Sequence, residues 1–250
     1  MKMTVLEMIQ EVLSDIDGDE ITTWDYTIES TQVNTILKAT FYNMMSNRNW
    51  PHLRRSIQVT SLAATATPTH LVLQDTIKEL CFINYDTAVT TDTRKRYTPI
   101  KYLSPDEFIH MTNQEDDSLP EVQVVTELGG VEIMIRNDRA PTYYTSFDDE
   151  NIVMDSFDSV IATTLETAKV QAQAYVLPTW TDDDDTFIPD LPDDAFRALV
   201  EATKSSASLR LTQTADQKAE QEATRQNRWL ARKSRRIEGG ITFQTFGRKR

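Results

Sequence analysis

The strongest constraint on the fold is a change in the spacing of apolar residues along the chain. Residues 1–52 and the residues after 155 repeat apolar side chains every three or four positions, which is typical of helices. Residues 53–154 instead alternate apolar and polar side chains in short runs, which is typical of strands. The pattern predicts an α+β fold, in which N- and C-terminal helices form a helical bundle with an inserted antiparallel β region and an extended C-terminal arm.

The predicted N-terminal domain, residues 1–52, contains two helices. The first follows Thr4, because Thr4 and Glu7 have the spacing of a capping box. The second is predicted over residues 30–47 and ends before Trp50-Pro51, since the residue before proline avoids the helical conformation. The apolar residues expected on one face of each helix are Leu6, Ile9, Leu13, Ile16, Val33, Ile36, Leu37, Phe41, Met44 and Met45.

The predicted β domain, residues 53–154, contains two recognisable turn signals. Gly129-Gly130 separates two short apolar runs, and two glycines supply the positive φ angles that a tight hairpin turn needs. Ser104-Pro105 with Glu107 predicts a short helix, because serine caps helices and proline is favoured at their first position.

Two further helices are predicted over residues 155–224. Apolar residues between Phe157 and Tyr175 recur at helical spacing and stop before Pro178. A loop with four consecutive aspartates, residues 182–185, follows and is predicted to be solvated, because adjacent carboxylates are costly to bury. A long helix is then predicted from about Pro192 to about Arg236, a length of roughly 65 Å.

Charge is distributed unevenly along the chain. The last 26 residues, 225–250, hold nine of the 26 Lys and Arg residues and one of the 39 Asp and Glu residues. Residues 1–224 therefore carry 17 basic and 38 acidic groups. Such asymmetry indicates a charged arm that reaches for something outside its own domain.

The arm, residues 225–250, is predicted to bind a partner protein. Arginines recur along one helical face, Gly239-Gly240 provides a hinge, and Ile241 and Phe243 alternate with polar residues as in a strand that joins another sheet edge. A disordered basic end that only aids solubility is the alternative. The predicted partner-binding residues are Arg225, Arg228, Trp229, Arg232, Lys233, Arg235, Arg236, Ile241, Phe243 and Phe246.

The common signatures of catalysis are missing from the sequence. None of the six glycines belongs to a phosphate-binding loop, and the three histidines lack metal-ligand spacing. We therefore expect no enzyme activity, no cofactor and no bound metal, although a catalytic triad or carboxylate pair defined by geometry alone stays open. No run of 18 apolar residues occurs, so no membrane span is expected.

Several stretches resemble the head-to-tail adaptor family of short-tailed bacteriophages, also called tail tubular protein A or the portal-proximal tail accessory factor. They are TVLEMIQEVLSDIDGDEI at residues 4–21, the stretch from Thr31 to Leu53 that ends in NRNWPHL, RAPTYYTSFDDE at 139–150 with DSF at 155–157, and the tail from Arg225 to Gly240. None of these is a catalytic signature, and the specificity comes from their order.

The resemblance implies a structural virion protein at the portal vertex, made in the host cytoplasm. Such adaptors form a ring, expected to be dodecameric, that grips the portal protein with C-terminal arms and receives the tail nozzle protein, with tail fibres as a further expected partner. Packaged DNA is expected to pass through the ring without sequence-specific binding, and an acidic body suits that role because like charges avoid strong phosphate contacts.

Two other function classes stay open. A nucleic-acid-binding protein could use the basic arm on phosphates, although no known binding motif is present. A virion enzyme that degrades the cell wall would need two carboxylates positioned in a cleft.

Overall fold

The computed structural model of the chain describes residues 2–16, 18–89, 91–127, 129–148, 150–181 and 184–238, the side chains of residues 233–238 excepted. The chain divides into two units, residues 1–53 with 177–250, and residues 54–176. We call the first the helical unit and the second the β unit. Helices dominate the first unit and strands dominate the second, which confirms the predicted α+β class.

Five helices occur in the described part of the chain and are numbered in order. They are α1 (Val5–Asp15), α2 (Ile28–Ser46), α3 (Pro105–Thr112), α4 (Ala195–Ala207) and α5 (Gln217–Glu238). All except α3 belong to the helical unit, which also contains a 3-10 turn at Pro51–Leu53 and a π-helical turn at Ser208–Thr212.

The two N-terminal helices begin at capping residues. Thr4 Oγ1 accepts a hydrogen bond from the Glu7 backbone N–H at 3.2 Å, and the Glu7 carboxylate accepts one from the Thr4 N–H at 2.8 Å, which confirms the predicted capping box. Helix α2 starts two residues earlier than predicted because Thr27 and Ser30 make the same reciprocal pair.

The helical unit is held together by apolar side chains of four helices. Helix α1 packs on α2 and α4, α2 packs on α4, and α4 packs on α5. The Trp180 ring lies 5.2 Å from Phe41 and 5.3 Å from Phe187, so the segment before α4 is fastened to α2 by aromatic contacts.

The β unit contains an eight-stranded sheet and a separate two-stranded hairpin within its described residues. The strands are β1 (Arg54–Ile57), β2 (Thr60–Ser61), β3 (His70–Val72), β4 (Ile77–Asp86), β5 (Tyr97–Tyr102), β6 (Val122–Thr126), β7 (Glu132–Arg136), β8 (Tyr143–Thr145), β9 (Asn151–Met154) and β10 (Val170–Val176). The sheet order is β1-β10-β4-β5-β8-β9-β3-β2, with β5 and β8 parallel and the other neighbours antiparallel.

The predicted turn signals in the β unit are confirmed. The β6–β7 hairpin turns at Gly129 and Gly130, whose φ angles are 104° and 80°. Ser104 Oγ accepts a hydrogen bond from the Glu107 N–H at 3.4 Å at the start of α3. Phe108 of α3 shares one buried core with Ile133 of the hairpin and with the large sheet.

The helix predicted between Phe157 and Tyr175 is wrong. Residues 155–169 are mostly irregular, Val160 is 92% exposed, and residues 170–176 form β10 inside the sheet. In the sequence Val-Gln-Ala-Gln-Ala-Tyr-Val, Ala172 and Ala174 are buried while Gln171 is exposed. This alternation has the period of a strand, and burial between β1 and β4 outweighs the helix propensity of alanine. The β unit therefore extends to Val176, beyond the predicted boundary at 154.

The single long helix predicted from Pro192 to Arg236 is also wrong. Helix α4 ends at Ala207, the chain passes through the π-helical turn, and Gln213 adopts a left-handed conformation with φ of 55°. A new helix then begins after Asp216, whose carboxylate oxygen accepts from the backbone N–H groups of Lys218 at 2.9 Å and Ala219 at 3.1 Å.

The structure describes two of the four consecutive aspartates, those at positions 184 and 185. Asp184 and Asp185 are half-buried, whereas Asp182 and Asp183 lie outside the described residues. One Asp185 oxygen accepts a hydrogen bond from the Trp24 backbone N–H at 2.7 Å. Asp185 thus has a structural contact that the expectation of a solvated loop did not include.

Asp155 connects the end of β9 with the start of β8. Its Oδ1 accepts hydrogen bonds from the backbone N–H groups of Thr142 at 2.8 Å and Tyr143 at 2.9 Å. Ser156 Oγ donates to the Ala140 carbonyl at 3.0 Å. Asp155 is 4% exposed, and burial raises the pKa of its carboxyl group more than the two hydrogen bonds lower it.

Candidate partner-docking site

The candidate docking surface is the outer side of α5, which is positioned by its packing on α4. Ala219, Ala223 and Leu230 are buried and recur at helical spacing, so they form the inner face of the helix. The Arg48 guanidinium donates to the Asn227 carbonyl at 3.4 Å and so contacts the same helix.

The outer face of α5 is basic and carries an aromatic ring. Arg225, Arg228 and Arg232 are exposed, and Trp229 is 47% exposed. Arg225 lies 3.5 Å from Glu222 with its side chain 80% exposed, a surface ion pair of little energy. The arginine guanidinium groups are therefore accessible to carboxylates of a partner.

A groove of about 1400 Å³ runs beside this face, and its walls carry opposite charges. The α5 wall supplies the three arginines, Trp229 and Glu220, and the other wall has more carboxylates than cations. The acidic residues of that other wall are Glu11, Asp193, Asp194 and Glu201, and its one basic residue in the groove is Arg197. A groove lined by both charges and one large aromatic ring suits a protein segment rather than a small apolar ligand.

An acidic surface on α1 adjoins this groove. Lys204 of α4 lies 3.1 Å from the Glu11 carboxylate and 2.7 Å from the Asp15 carboxylate. Burial lowers the pKa of Lys204, but hydrogen bonds to Asp15 and Glu11 outweigh this and the pKa is raised overall. The lysine thus stays charged and offsets the repulsion between two acids one helical turn apart.

The structure brings together four of the predicted partner-binding residues. Arg225, Arg228, Trp229 and Arg232 line one groove. The backbone of α5 continues through Lys233, Arg235 and Arg236, whose side chains are outside the described residues. Ile241, Phe243 and Phe246 also lie outside the described residues, so their predicted strand-like docking stays a prediction.

The predicted arm boundary at Arg225 is not a structural boundary. Residue 225 lies inside α5, which begins at Gln217, and Leu230 is 2% exposed because it packs on the inner face. Leu230 follows Trp229 directly in the sequence, but its spacing from Ala219 and Ala223 places it on the inner face of the helix.

Sequence reasoning missed the acidic wall of the groove. Asp193, Asp194 and Glu201 face α5 only because the chain reverses between α4 and α5. The signal for that reversal was the polar run Thr212-Gln213-Thr214 followed by Asp216, since threonine favours turns and aspartate favours helix starts.

Other kinds of site receive little support from the described residues. Among them no cluster of three or more His, Cys, Asp or Glu side chains could hold a metal ion. His70 pairs with Glu127 at 3.0 Å and His52 contacts the Asp190 carbonyl at 3.1 Å, so these two rings serve separate local contacts. No described helix combines the length and apolar character needed to cross a membrane.

Comparison with known proteins gives no relative. No protein-family model matches the chain, and no curated protein matches it significantly in sequence. Function is therefore inferred from the residues and geometry described above, and membership of the head-to-tail adaptor family stays a prediction.

Proposed function

We propose that the protein is a structural virion protein, a ring adaptor that connects the capsid portal to the tail nozzle and extends the DNA channel. The observation that carries the proposal is the outer face of α5, where three exposed arginines flank a half-exposed Trp229. The helix is already held by its own unit, so this face is presented without the cost of ordering a free tail.

The chemistry of this face suits an acidic protein partner. Arginine pairs with carboxylates through two parallel hydrogen bonds, which gives both strength and orientation. Tryptophan is enriched among residues that contribute most to binding energy, and Trp229 keeps about half of its surface available. We assign the portal protein as the partner of this face on the strength of the family resemblance.

The finer architecture belongs to the same proposal. The contacts of α1, α2, α4 and α5 would form the family's helical bundle, with the β unit as the insertion and the residues after α5 as the arm. Copies of the chain would assemble into a ring, with the nozzle protein and fibres on the side away from the portal. The excess of acidic residues in 1–224 favours a channel that repels DNA over most of its wall.

The buried position of Leu230 changes how the arm should be tested. Deleting residues 225–250 would remove Leu230 and the carbonyl that Arg48 contacts. A loss of docking in that variant could therefore not be distinguished from a loss of folded structure. Deleting residues 239–250 keeps α5 whole and removes Ile241, Phe243 and Phe246 together.

The test is co-sedimentation of the full chain with portal rings at increasing salt. We expect R225A/R228A/R232A to weaken docking most at low salt, since exposed charge pairs are screened by ions. We expect W229A to weaken it at all salt concentrations, because the loss of apolar contact is not screened.

The matched control is R94A/K95A/R96A, which removes three exposed cations from the β unit and changes the net charge equally. This variant should dock like the wild type. Equal docking by the α5 variants and the wild type, or equal weakening by the control, would refute the proposed role of α5.

A further inference from the structure

A second cluster of basic residues lies in the β unit, far along the chain from α5. Arg94, Lys95 and Arg96 are exposed in the connection between β4 and β5, and Lys101 is exposed on β5. We call residues 87–96 the basic hairpin. The β unit has 10 basic and 19 acidic residues, so four of its ten cations fall within eight positions of an otherwise acidic segment.

The base of the basic hairpin is fixed by a buried carboxylate. Asp86 is 5% exposed, and its Oδ1 accepts hydrogen bonds from the backbone N–H groups of Ala88 at 3.1 Å and Arg96 at 2.8 Å. The Thr87 N–H donates to the Arg96 carbonyl at 2.9 Å. Lys169 Nζ donates to the Ala88 carbonyl at 3.2 Å. These contacts join both sides of the hairpin, so its cations are presented on a defined frame.

The local partners of these cations leave a net positive surface. Arg96 lies 3.6 Å from Asp92, and its side chain is 70% exposed. Lys95 Nζ lies 3.4 Å from the Tyr97 hydroxyl and 5.9 Å from the centre of the Tyr97 ring. Neither contact neutralises the positive charge of Lys95, because the tyrosine side chain is uncharged. One carboxylate thus serves three adjacent cations on the second arm of the hairpin, next to β5.

The residues next to these cations in sequence have the side-chain types that contact a phosphate backbone. Thr91 and Thr98 are exposed, and Tyr97 and Tyr102 are 37% and 58% exposed. Lysine, arginine, threonine and tyrosine are the side chains that most often contact DNA phosphates and sugars.

We propose that the basic hairpin is a contact site for the phosphate backbone of double-stranded DNA. The contact is independent of base sequence, because hydrogen bonds and ion pairs to phosphates carry no direct sequence information. This goes beyond the adaptor proposal and does not depend on it, since a single copy of the chain already carries the site.

The experiment measures binding of the full chain to a short duplex DNA of mixed sequence by fluorescence anisotropy across a salt series. Three cations that each neutralise one phosphate contribute about 2.7 to the slope of log affinity against log salt. We therefore expect R94A/K95A/R96A to lose most of this slope, whereas the wild type loses about 40-fold in affinity between about 50 and 200 mM salt.

The matched control is R225A/R228A/R232A, which removes the same number of cations from α5 and should keep the DNA affinity of the wild type. Unchanged thermal melting of the hairpin variant would show that lost binding is not lost folding. The proposal is overturned if the wild type shows no salt-dependent binding, if the α5 variant loses the binding instead, or if poly-glutamate competes as well as DNA at equal charge.

Failure here and failure of the adaptor proposal are distinguishable. The hairpin variant should lose DNA binding and keep portal docking, and the α5 variant should lose portal docking and keep DNA binding. If the α5 variant lost both DNA binding and portal docking, the protein would instead be a nucleic-acid-binding protein that uses its C-terminal basic helix.

Discussion

Asp155 in the β unit and Asp216 in the helical unit make the same contact in different surroundings. Each offers one carboxylate oxygen to two backbone N–H groups, at 2.8 and 2.9 Å for Asp155 and at 2.9 and 3.1 Å for Asp216. Asp155 is 4% exposed, follows β9 directly and contacts the first residue of β8. Asp216 is partly exposed and lies at the start of α5.

The difference in burial decides what each contact contributes to stability. Asp216 is itself partly exposed and the Lys218 N–H that it accepts from is exposed, so water can replace part of its contact, as at most helix starts. If the Asp155 carboxylate is removed, two N–H groups lose hydrogen bonds to a buried carboxylate, and hydrogen bonds to charged groups contribute about 1.5–3 kcal/mol each. The β unit should therefore depend on its aspartate much more than the helical unit does.

The largest expected effect is that of D155A. We expect the free energy of unfolding to fall by about 3 kcal/mol, because two hydrogen bonds to a buried carboxylate are lost, each worth about 1.5 kcal/mol or more. Urea unfolding monitored by circular dichroism measures this. A loss as small as that of an exposed cap would show that water replaces the carboxylate and that burial does not distinguish the two sites.

The next effect is that of L230A, which tests whether α5 is held by packing rather than by its cap. Leu230 is 2% exposed, and truncation of a buried leucine to alanine costs about 2–5 kcal/mol. We expect a loss of about 2 kcal/mol, the lower end of this range, because Ala219 and Ala223, which share the inner face of α5 with Leu230, are small. W229A is the control, and it should change stability less since Trp229 is 47% exposed.

A smaller effect is expected for D216A. Loss of a helix-capping side chain costs about 1 kcal/mol, and substitution by asparagine should recover most of it because the amide oxygen also accepts hydrogen bonds. The same urea experiment applies. A loss for D216A equal to that of D155A would remove the distinction between the two regions.

The smallest effect is a pH dependence of D155N. Burial raises the pKa of Asp155, so the folded protein holds this proton more tightly than the unfolded chain. The resulting stability is present at low pH and is lost as the pH rises through the pKa of the folded state. D155N keeps an acceptor but has no such proton, so its stability relative to the wild type should rise from below about pH 4 to pH 7. A constant difference across this range would contradict the role of burial.

Both aspartates mark places where the sequence alone was partly informative. The DSF motif that contains Asp155 was noticed as a resemblance, but its hydrogen bonds to residues thirteen and twelve positions earlier could not be read from local spacing. Asp216 was overlooked, although an aspartate before an alanine-containing helix is a common start signal.

Local signals predicted those elements whose stability is local. The capping box at Thr4 and Glu7, the Ser104 cap and the Gly129-Gly130 turn were all predicted from neighbouring residues and are confirmed. The segment 170–176 was predicted as helix because its strand form depends on β1 and β4, which lie far away in sequence.

The candidate site was predicted only on one side. The arginines and Trp229 of α5 follow from charge and spacing within one segment. The carboxylates in and just before α4 that form the opposite wall depend on the reversal at Gln213. The polar run around Gln213 and Asp216 indicates a turn there, but not which residues the turn brings opposite α5.

The pairing of β1 with β10 has a consequence for how this chain can change. Arg54 is in register with Tyr175, so the first and last strands of residues 54–176 are hydrogen-bonded neighbours. Two chain ends about 5 Å apart can be joined by a very short linker. Residues 54–176 therefore form an insertion whose two ends lie side by side. A shorter, longer or different segment could replace this insertion, because a short linker would still join residue 53 to residue 177.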